Sequence, residues 1–275
     1  MRRALAVLLV AAFGFSACKR RFPREGLVLG GRRVPYATLR NGWSAYGTYC
    51  RSCHGENGDG RGTTGIGMEP APRDFRRGIV KYASVPSGQL PTDADLARTI
   101  RHGLAGTPMR AWDLPDDDVD AIVQYLKTFS PRWRTQRAGT PITIPPDPWL
   151  SRDGEARERG ARLYHAVAQC WTCHPAYASR AQMVSYVFEL QGMHIEESDI
   201  RPNVEFGVMQ TTDWGTHVMP PDFPHVEMKA GNTLQDLYRT IAAGVGGTSM
   251  PAWQGVLPDD DLWALVHYVR SLARR

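Results

Sequence analysis

The sequence predicts an all-α chain of two tandem helical domains joined by a proline-rich linker. First, residues 95–112 and 236–253 form an internal repeat that is identical at 11 of 18 aligned positions. Second, apolar residues after each copy, within 119–129 and 262–272, recur with the i, i+3, i+4, i+7 spacing of a helix that buries one face. Third, residues 131–154 contain five prolines and no helical period. A duplicated helical domain explains all three observations.

Each predicted helix has a local signal. Leu-Pro followed by three aspartates, at residues 114–118 and 257–261, precedes each apolar stripe. Acidic side chains favour the positive end of the helix dipole, so these segments should begin the final helix of each domain. Residues 42–49 and 155–169 are predicted as one further helix near the start of each domain.

These signals give the expected segment bounds. In chain order we expect a signal peptide, a basic tether, domain one, the proline-rich linker and domain two, at residues 1–18, 19–38, 39–130, 131–153 and 154–275. Domain two carries an insertion around residues 176–229. That insertion could cover a site, form a docking surface or be a longer loop.

Two short motifs carry the chemistry. Residues 50–54 read C-R-S-C-H and residues 170–174 read C-W-T-C-H. C-x-x-C-H is the attachment signature of a c-type haem, in which both cysteines form thioethers and the histidine reaches the iron. The predicted covalent haem attachments are Cys50, Cys53, Cys170 and Cys173, and the predicted proximal ligands are His54 and His174. The sequence therefore predicts two covalently bound haem c groups.

A redox dithiol or half of a zinc site is the alternative interpretation of a single C-x-x-C. Neither alternative requires a histidine directly after the second cysteine in both copies. The repeated histidine favours haem.

The fifth cysteine, Cys18, ends an N-terminal segment with the composition of a secretory signal. Arg2 and Arg3 precede an apolar run over residues 4–15 that is too short to be interpreted first as a membrane span. A small pair before Cys18 resembles the lipobox of bacterial lipoproteins, although Phe15 stands where that motif prefers Leu. We expect export to the periplasmic side and lipidation of Cys18; an ordinary signal peptide or an uncleaved anchor are the alternatives.

The formal charge of +5 is unevenly distributed. Residues 1–40 carry nine basic groups and one acidic group, a charge of +8, which leaves −3 for the remaining 235 residues. A basic segment beside a lipidated residue can rest on anionic headgroups, and a solvated tether is the alternative. The folded part has no basic stripe, so nucleic-acid binding is not expected.

One methionine recurs at the same place in both repeats. Met109 and Met250 each lie in a Gly-rich loop before the final helix and are followed three residues later by Trp112 and Trp253. A thioether suits the sixth position of an electron-transfer haem, so we predict both methionines as axial ligands. Either tryptophan could line the haem edge or donate its N–H to a haem carboxylate, and core packing is the alternative.

The other methionines and histidines do not recur in this way. For the methionines, packing is the simpler expectation, with Met219 as the first rival of Met250. For the histidines we expect surface or hydrogen-bonded positions. The methionines in this group are Met68, Met183, Met193, Met209 and Met228, and the histidines are His102, His165, His194, His217, His225 and His267.

Taken together, these motifs resemble class I c-type cytochromes. The resemblance covers residues 40–130 and 155–275, and residues 53–60, C-H-G-E-N-G-D-G, are especially similar to bacterial members. It implies small helical domains with partly exposed haem edges that pass single electrons between partners. The chain departs from the family in two loops and in the domain-two insertion, which has no counterpart in the minimal family fold. Arg110 follows Met109 where Pro is usual, and no Gly-rich segment follows His174.

The hypothesis is a dihaem, membrane-tethered carrier between a redox donor and acceptor. A subunit docked on a membrane respiratory complex shares this chemistry and differs in partner. The alternative from another class is a dihaem peroxidase-like oxidoreductase, in which one haem has an open sixth position. The carrier hypothesis expects no catalytic residue.

Overall fold

The structure is a computed structural model and describes residues 22–273. The signal peptide and the lipidation of Cys18 lie outside these residues and stay predictions. The described part is mostly helical, with four short strands. The all-α class and the tandem arrangement are confirmed.

Domain one consists of a short hairpin followed by helices. Its elements are β1 Leu27–Leu29, β2 Arg32–Val34, α1 Tyr36–Tyr49, α2 Arg51–His54, α3 Asp93–His102 and α4 Asp116–Lys127. A short helix, α5 Arg132–Thr135, follows within the predicted linker.

Domain two repeats the helical part and adds elements between its haem motif and its final pair of helices. In full, the elements of domain two are α6 Asp153–Arg162, a π-helical turn Leu163–Val167, a 3-10 turn Cys170–Thr172, α7 Arg180–Gln191, a 3-10 turn Glu197–Asp199, β3 Gln210–Thr211, β4 His217–Val218, α8 Leu234–Ala243 and α9 Asp259–Leu272.

The first and last helices cross closely in both domains. Helix α1 packs on α4, and α6 packs on α9. The crossing requires glycine, because a Cβ on Gly42 would overlap the carbonyl oxygen of Ala121 and one on Gly160 would overlap that of Ala264. Each crossing closes its own apolar core, one built on the domain-one helices and one on those of domain two.

The approach to the second haem motif is two residues longer than the approach to the first. The crossing glycine lies 8 residues before the first cysteine in domain one and 10 before it in domain two. The π-helical turn absorbs part of this length, and Gln169 takes the left-handed conformation at φ 47°. π turns are rare and are often found beside functional sites.

Residues 22–38, predicted as tether, differ from that prediction. Strands β1 and β2 pair around Gly30 and Gly31, whose φ values of 63° and 83° suit a tight two-residue turn. Leu29 and Val34 are fully buried against domain one. The apolar residues bury one face of a hairpin, so this segment is part of the folded domain.

The linker also packs more closely than a free spacer. Trp133 is 3% exposed in the domain-one core, and its carbonyl accepts a hydrogen bond from Gly30 N at 2.6 Å. Further along, Trp149 Nε1 donates to Asp260 O at 2.9 Å and Trp263 Nε1 donates to Pro145 O at 3.2 Å. The segment is therefore held by both domains.

Backbone hydrogen bonds join the two domains directly. Ser87 N donates to Ala243 O at 2.8 Å, and Gly246 N donates to Lys81 O at 2.8 Å. Because these are main-chain bonds, they fix the segment before α3 against the end of α8.

Within residues 22–273, no helix combines the length and the apolar composition needed to cross a bilayer.

Candidate haem-binding sites

The first C-x-x-C-H motif lies at the junction of α1 and α2. Cys50 follows the last residue of α1, and one helical turn brings His54 N to 2.9 Å from Cys50 O. The Tyr46 hydroxyl donates to Gly55 O at 2.7 Å, which ties the end of the motif back to α1. The two cysteines and the histidine are thus held on one short turn.

The ring of His54 is oriented by two contacts. Its Nδ1 lies 3.1 Å from Arg73 O, and its ring stacks on Phe75 with centroids 4.7 Å apart. A carbonyl oxygen only accepts, so Nδ1 carries the proton and Nε2 keeps the lone pair that can bind a metal. Burial lowers the pKa of His54 and favours this neutral form.

The second motif repeats this arrangement. The 3-10 turn brings His174 N to 2.9 Å from Cys170 O. His174 Nδ1 lies 3.1 Å from Pro221 O, and the ring stacks on Phe223 at 5.0 Å. Burial again lowers the pKa of the histidine. Both histidines are therefore prepared in the same way to present Nε2.

Sequence reasoning missed the tetrapeptide that positions these histidines. Residues 72–75 read P-R-D-F and residues 220–223 read P-P-D-F. The spacing from histidine to the aspartate of this motif is 20 residues in domain one and 48 in domain two, which obscured the match. The shared Pro-x-Asp-Phe was the signal that could have found it.

Met109 and Met250 lie in loops of the same geometry. The backbone N–H of Met109 donates to Thr107 Oγ1 at 3.1 Å, and that of Met250 donates to Thr248 Oγ1 at 3.2 Å. Each threonine hydroxyl donates in turn to the carbonyl three residues earlier. The hydroxyl fixes the loop and sets the direction in which each methionine leaves it. Arg110 does not alter this pattern.

In domain two the predicted haem residues meet at one cavity. Cys170, Cys173, His174 and Met250 all line a space of about 1580 Å³, together with Trp253. In domain one, Tyr49 beside the haem motif contacts Trp112 of the Met109 loop, with ring centroids 5.3 Å apart. This contact brings the first motif and the first methionine loop together.

The residues fit a covalently attached haem. All four motif cysteines are free of disulfides, and burial raises the pKa of Cys50 and Cys170 to about 12. A reactive dithiol needs a lowered pKa, so these sites do not favour the redox-dithiol interpretation. Within residues 22–273, no three His, Cys, Asp or Glu side chains are grouped as a metal site would require.

Comparison with known proteins agrees with this geometry. A family model described as cytochrome C oxidase, cbb3-type, subunit III matches residues 37–126 and 155–269. The chain belongs to this family. A search of curated proteins found no match. Among solved structures, a chain of the reducing HAO-like protein complex of Kuenenia stuttgartiensis is 32% identical with a TM-score of 0.68, over 84% of this chain and 95% of that chain.

As a member of the cbb3-type subunit III family, the chain is a c-type cytochrome, a redox protein that carries covalent haem c. The two matched segments correspond to the two helical domains. Both end within the final helix of their domain, and the proline-rich segment lies between them.

Two further histidines of this cytochrome are satisfied by protein groups. His165 Nδ1 lies 2.7 Å from Ala161 O, and its Nε2 accepts from Tyr177 N at 3.2 Å. His267 lies between Asp147 and Asp153, at 2.8 Å from each carboxylate. Hydrogen bonding of these histidines was expected, and neither has a free ring nitrogen for a metal.

Several other methionines differ from the packing expectation. Met183, on α7, is buried in a small apolar cluster, as packing predicts. Met209 and Met219 are each 55% exposed and, with Met68, line the cavity of domain two. Met228 lines it too, but packs against the domain-two core as expected. The inserted segment supplies Met209 and Met219, so its thioethers face the site and do not fill a core.

The insertion forms walls of the second site. Val208 N donates to Cys173 O at 2.8 Å, which ties the insertion to the haem motif. Between β3 and β4, Trp214 packs against Gly247 in the methionine loop, and Asp213 N donates to Gly247 O at 2.9 Å. Of the three roles considered for the insertion, the contacts match cover of the site.

Proposed function

We propose that this cytochrome is a dihaem carrier that passes single electrons between protein partners. One iron would be bound by His54 and Met109, and the other by His174 and Met250. The observation that supports the proposal best is the convergence of both cysteines, the histidine and the methionine of domain two on one cavity. The matching histidine and methionine geometry of domain one extends the argument to a second haem.

The protein residues would provide attachment and orientation of the haem groups. When bound, haem c supplies a one-electron couple between ferric and ferrous iron. The carbonyls of Arg73 and Pro221 hold the proximal histidines, and a hydrogen-bonded Nδ1 makes a histidine a stronger ligand. A thioether at the sixth position favours the ferrous state and leaves no open site for substrate.

The proposed partners are a redox donor and an acceptor. The solved relative is a chain of a protein complex, which supports docking of this cytochrome on another redox protein. We further propose export, cleavage of the N-terminal signal and lipidation of Cys18, with the folded part held on the periplasmic side of a membrane. A docked subunit of a respiratory complex would use the same haem sites.

Haem counting and redox titration of the purified protein test the proposal. We expect two haems per chain, two one-electron steps and the far-red band of methionine-ligated ferric haem. Met109→Ala and Met250→Ala should each remove part of that band, while Met219→Leu serves as the control and leaves it unchanged.

Three results would contradict the proposal. One is a single haem per chain. Another is a pair of low-potential steps typical of bis-histidine ligation. The third is rapid cyanide binding or peroxide turnover, which requires an open iron and would favour the peroxidase-like alternative.

A further inference from the structure

Residues of domain one close the cavity of domain two. Arg73, Lys81 and Tyr82 line the same space as Cys170 and Met250. The main-chain hydrogen bond from Gly246 N to Lys81 O holds this domain-one segment against the loop that carries Met250. The wall of the second site is therefore built partly from the other half of the chain.

Three cationic side chains, those of Arg73, Lys81 and Lys229, line this part of the cavity. Burial, together with the charges of Arg73 and Lys229, lowers the pKa of Lys81 to about 8, and burial lowers the pKa of Arg73 to about 10. The nearest acidic neighbour in sequence, Asp74, is paired with Arg76 at 2.7 Å. Among residues 22–273, no salt bridge is formed by these three cations. The carboxylates of Asp59, Glu69 and Glu227 line the same cavity but form no salt bridge with these cations, so the three charges lack a close anionic partner.

An unpartnered hydrogen-bond donor lies beside the cations. Trp214 Nε1 is buried and has no acceptor within the described part of the chain. The Arg73 guanidinium lies 3.8 Å from the centroid of the Trp214 ring. Buried N–H groups are almost always hydrogen-bonded, so this donor and the neighbouring cations are suited to an acceptor that carries negative charge.

We propose that this cluster binds the propionate carboxylates of the haem attached at Cys170 and Cys173, so that domain one completes the second haem site. The inference rests on the proposed function, because it needs a haem in domain two. Carboxylates would neutralise Arg73 and Lys81 and accept the hydrogen bond of Trp214. Arg73 would then contact both sites, since its carbonyl oxygen also lies 3.1 Å from His54 Nδ1.

Redox titration of variants tests this assignment. Arg73→Gln and Lys81→Gln each remove a positive charge beside the haem, which favours ferric iron. We expect the domain-two midpoint potential to fall, on the order of tenfold in the ferric–ferrous equilibrium or about 59 mV for a one-electron couple. Arg73→Lys should restore most of the wild-type value, and Trp214→Phe should give a smaller fall.

A matched control removes the same charge elsewhere. Arg134 is exposed on α5 and does not line the cavity, so Arg134→Gln should leave both potentials unchanged. Met250→His identifies the domain-two step, because histidine ligation lowers that step selectively. If Arg73→Gln does not fold, Lys81→Gln carries the test alone.

The outcomes separate this inference from the proposed function. Two haems and two steps, with neither step moved by Arg73→Gln or Lys81→Gln, would overturn the inference alone. Binding of a polyglutamate peptide is measured on the same proteins. If the potentials are unchanged but the peptide binds the wild type and not the variants, the inference is also overturned and the cluster is identified as a docking surface. A haem count of one, with domain two empty in the wild type, would overturn the proposed function itself.

Discussion

Asp95 and Asp236 occupy the same position in the two repeats, so they allow a comparison of a buried carboxylate with a partly exposed one. Both close a capping box at the start of their helix, α3 or α8. Asp95 is fully buried, whereas the side chain of Asp236 is 22% exposed. The substitutions Asp95→Asn and Asp236→Asn keep the shape and remove the charge.

The contacts of each carboxylate set the expected cost. Asp95 accepts hydrogen bonds from Ser84 N at 2.8 Å, Ser84 Oγ at 3.0 Å, Thr92 N at 3.0 Å and an Arg98 guanidinium nitrogen at 2.6 Å. An amide has one acceptor oxygen, so its NH₂ group would face two of these donors. Losing two charge-assisted hydrogen bonds in a buried site should cost about 3 kcal/mol of unfolding free energy.

Asp236 makes fewer and more exposed contacts. It accepts from Thr233 Oγ1 at 2.7 Å and from Arg239 at 2.8 Å, with a longer bond from Thr233 N at 3.3 Å. Solvent can replace part of this set when the charge is lost. We expect Asp236→Asn to cost about 1 kcal/mol.

Urea unfolding of the haem-loaded proteins, followed by far-ultraviolet circular dichroism at pH 7 and pH 3, measures both values. Burial alone raises the pKa of Asp95, but hydrogen bonds from Thr92 and Arg98 outweigh it and hold the pKa below its ordinary value. The stabilisation is therefore complete above the unfolded-state pKa of about 4 and is lost as the pH falls through the folded-state pKa. The difference between wild type and Asp95→Asn should shrink at pH 3. Equal costs for the two substitutions at pH 7 would refute the reasoning.

Two further predictions concern packing in domain one. Gly42→Ala should destabilise the protein by about 2 kcal/mol, because its Cβ would overlap the Ala121 carbonyl at the crossing of α1 and α4, and the cost is measured by urea unfolding. Gly47→Ala on the same helix meets no atom within 4 Å and should stabilise by roughly 0.5–1 kcal/mol; a loss at Gly47 equal to that at Gly42 would contradict the helix-crossing argument. Trp133→Ala should cost about 3–5 kcal/mol and lower Tm, since this linker side chain is 3% exposed in the domain-one core. A Tm unchanged by Trp133→Ala would show that the linker does not contribute to domain one.

Much of the fold could be predicted because the repeat aligns the same helical signals twice. The loops of Met109 and Met250 and the final helices all follow from patterns within about 20 residues. Local patterns of this kind depend on helix periodicity and capping, which act over short distances. Both helix predictions ahead of the haem motifs had the right type, although α1 begins earlier, at Tyr36.

What could not be predicted depends on contacts between distant segments. The hairpin of Leu29 and Val34 is short, and its burial is decided by packing on domain one. Its Gly-Gly turn was the available signal, but the surrounding arginines favoured the tether interpretation. Arg73 was not singled out either, because the carbonyl that holds His54 and the guanidinium near Trp214 act on two different domains. No spacing rule within one repeat describes such a residue.

The main-chain bonds that join Lys81 to Gly246 and Ser87 to Ala243 have a consequence for protein engineering. A duplicated gene product normally invites exchange of its halves, with the proline-rich segment as the natural place to cut. A chimera joined at that segment would combine the domain-two haem site of this protein with domain-one lining residues from another protein. A hybrid would have to keep residues 73–87 together with domain two for the domain-two site to retain its original lining. The halves share an ancestry in sequence, but they are no longer interchangeable modules.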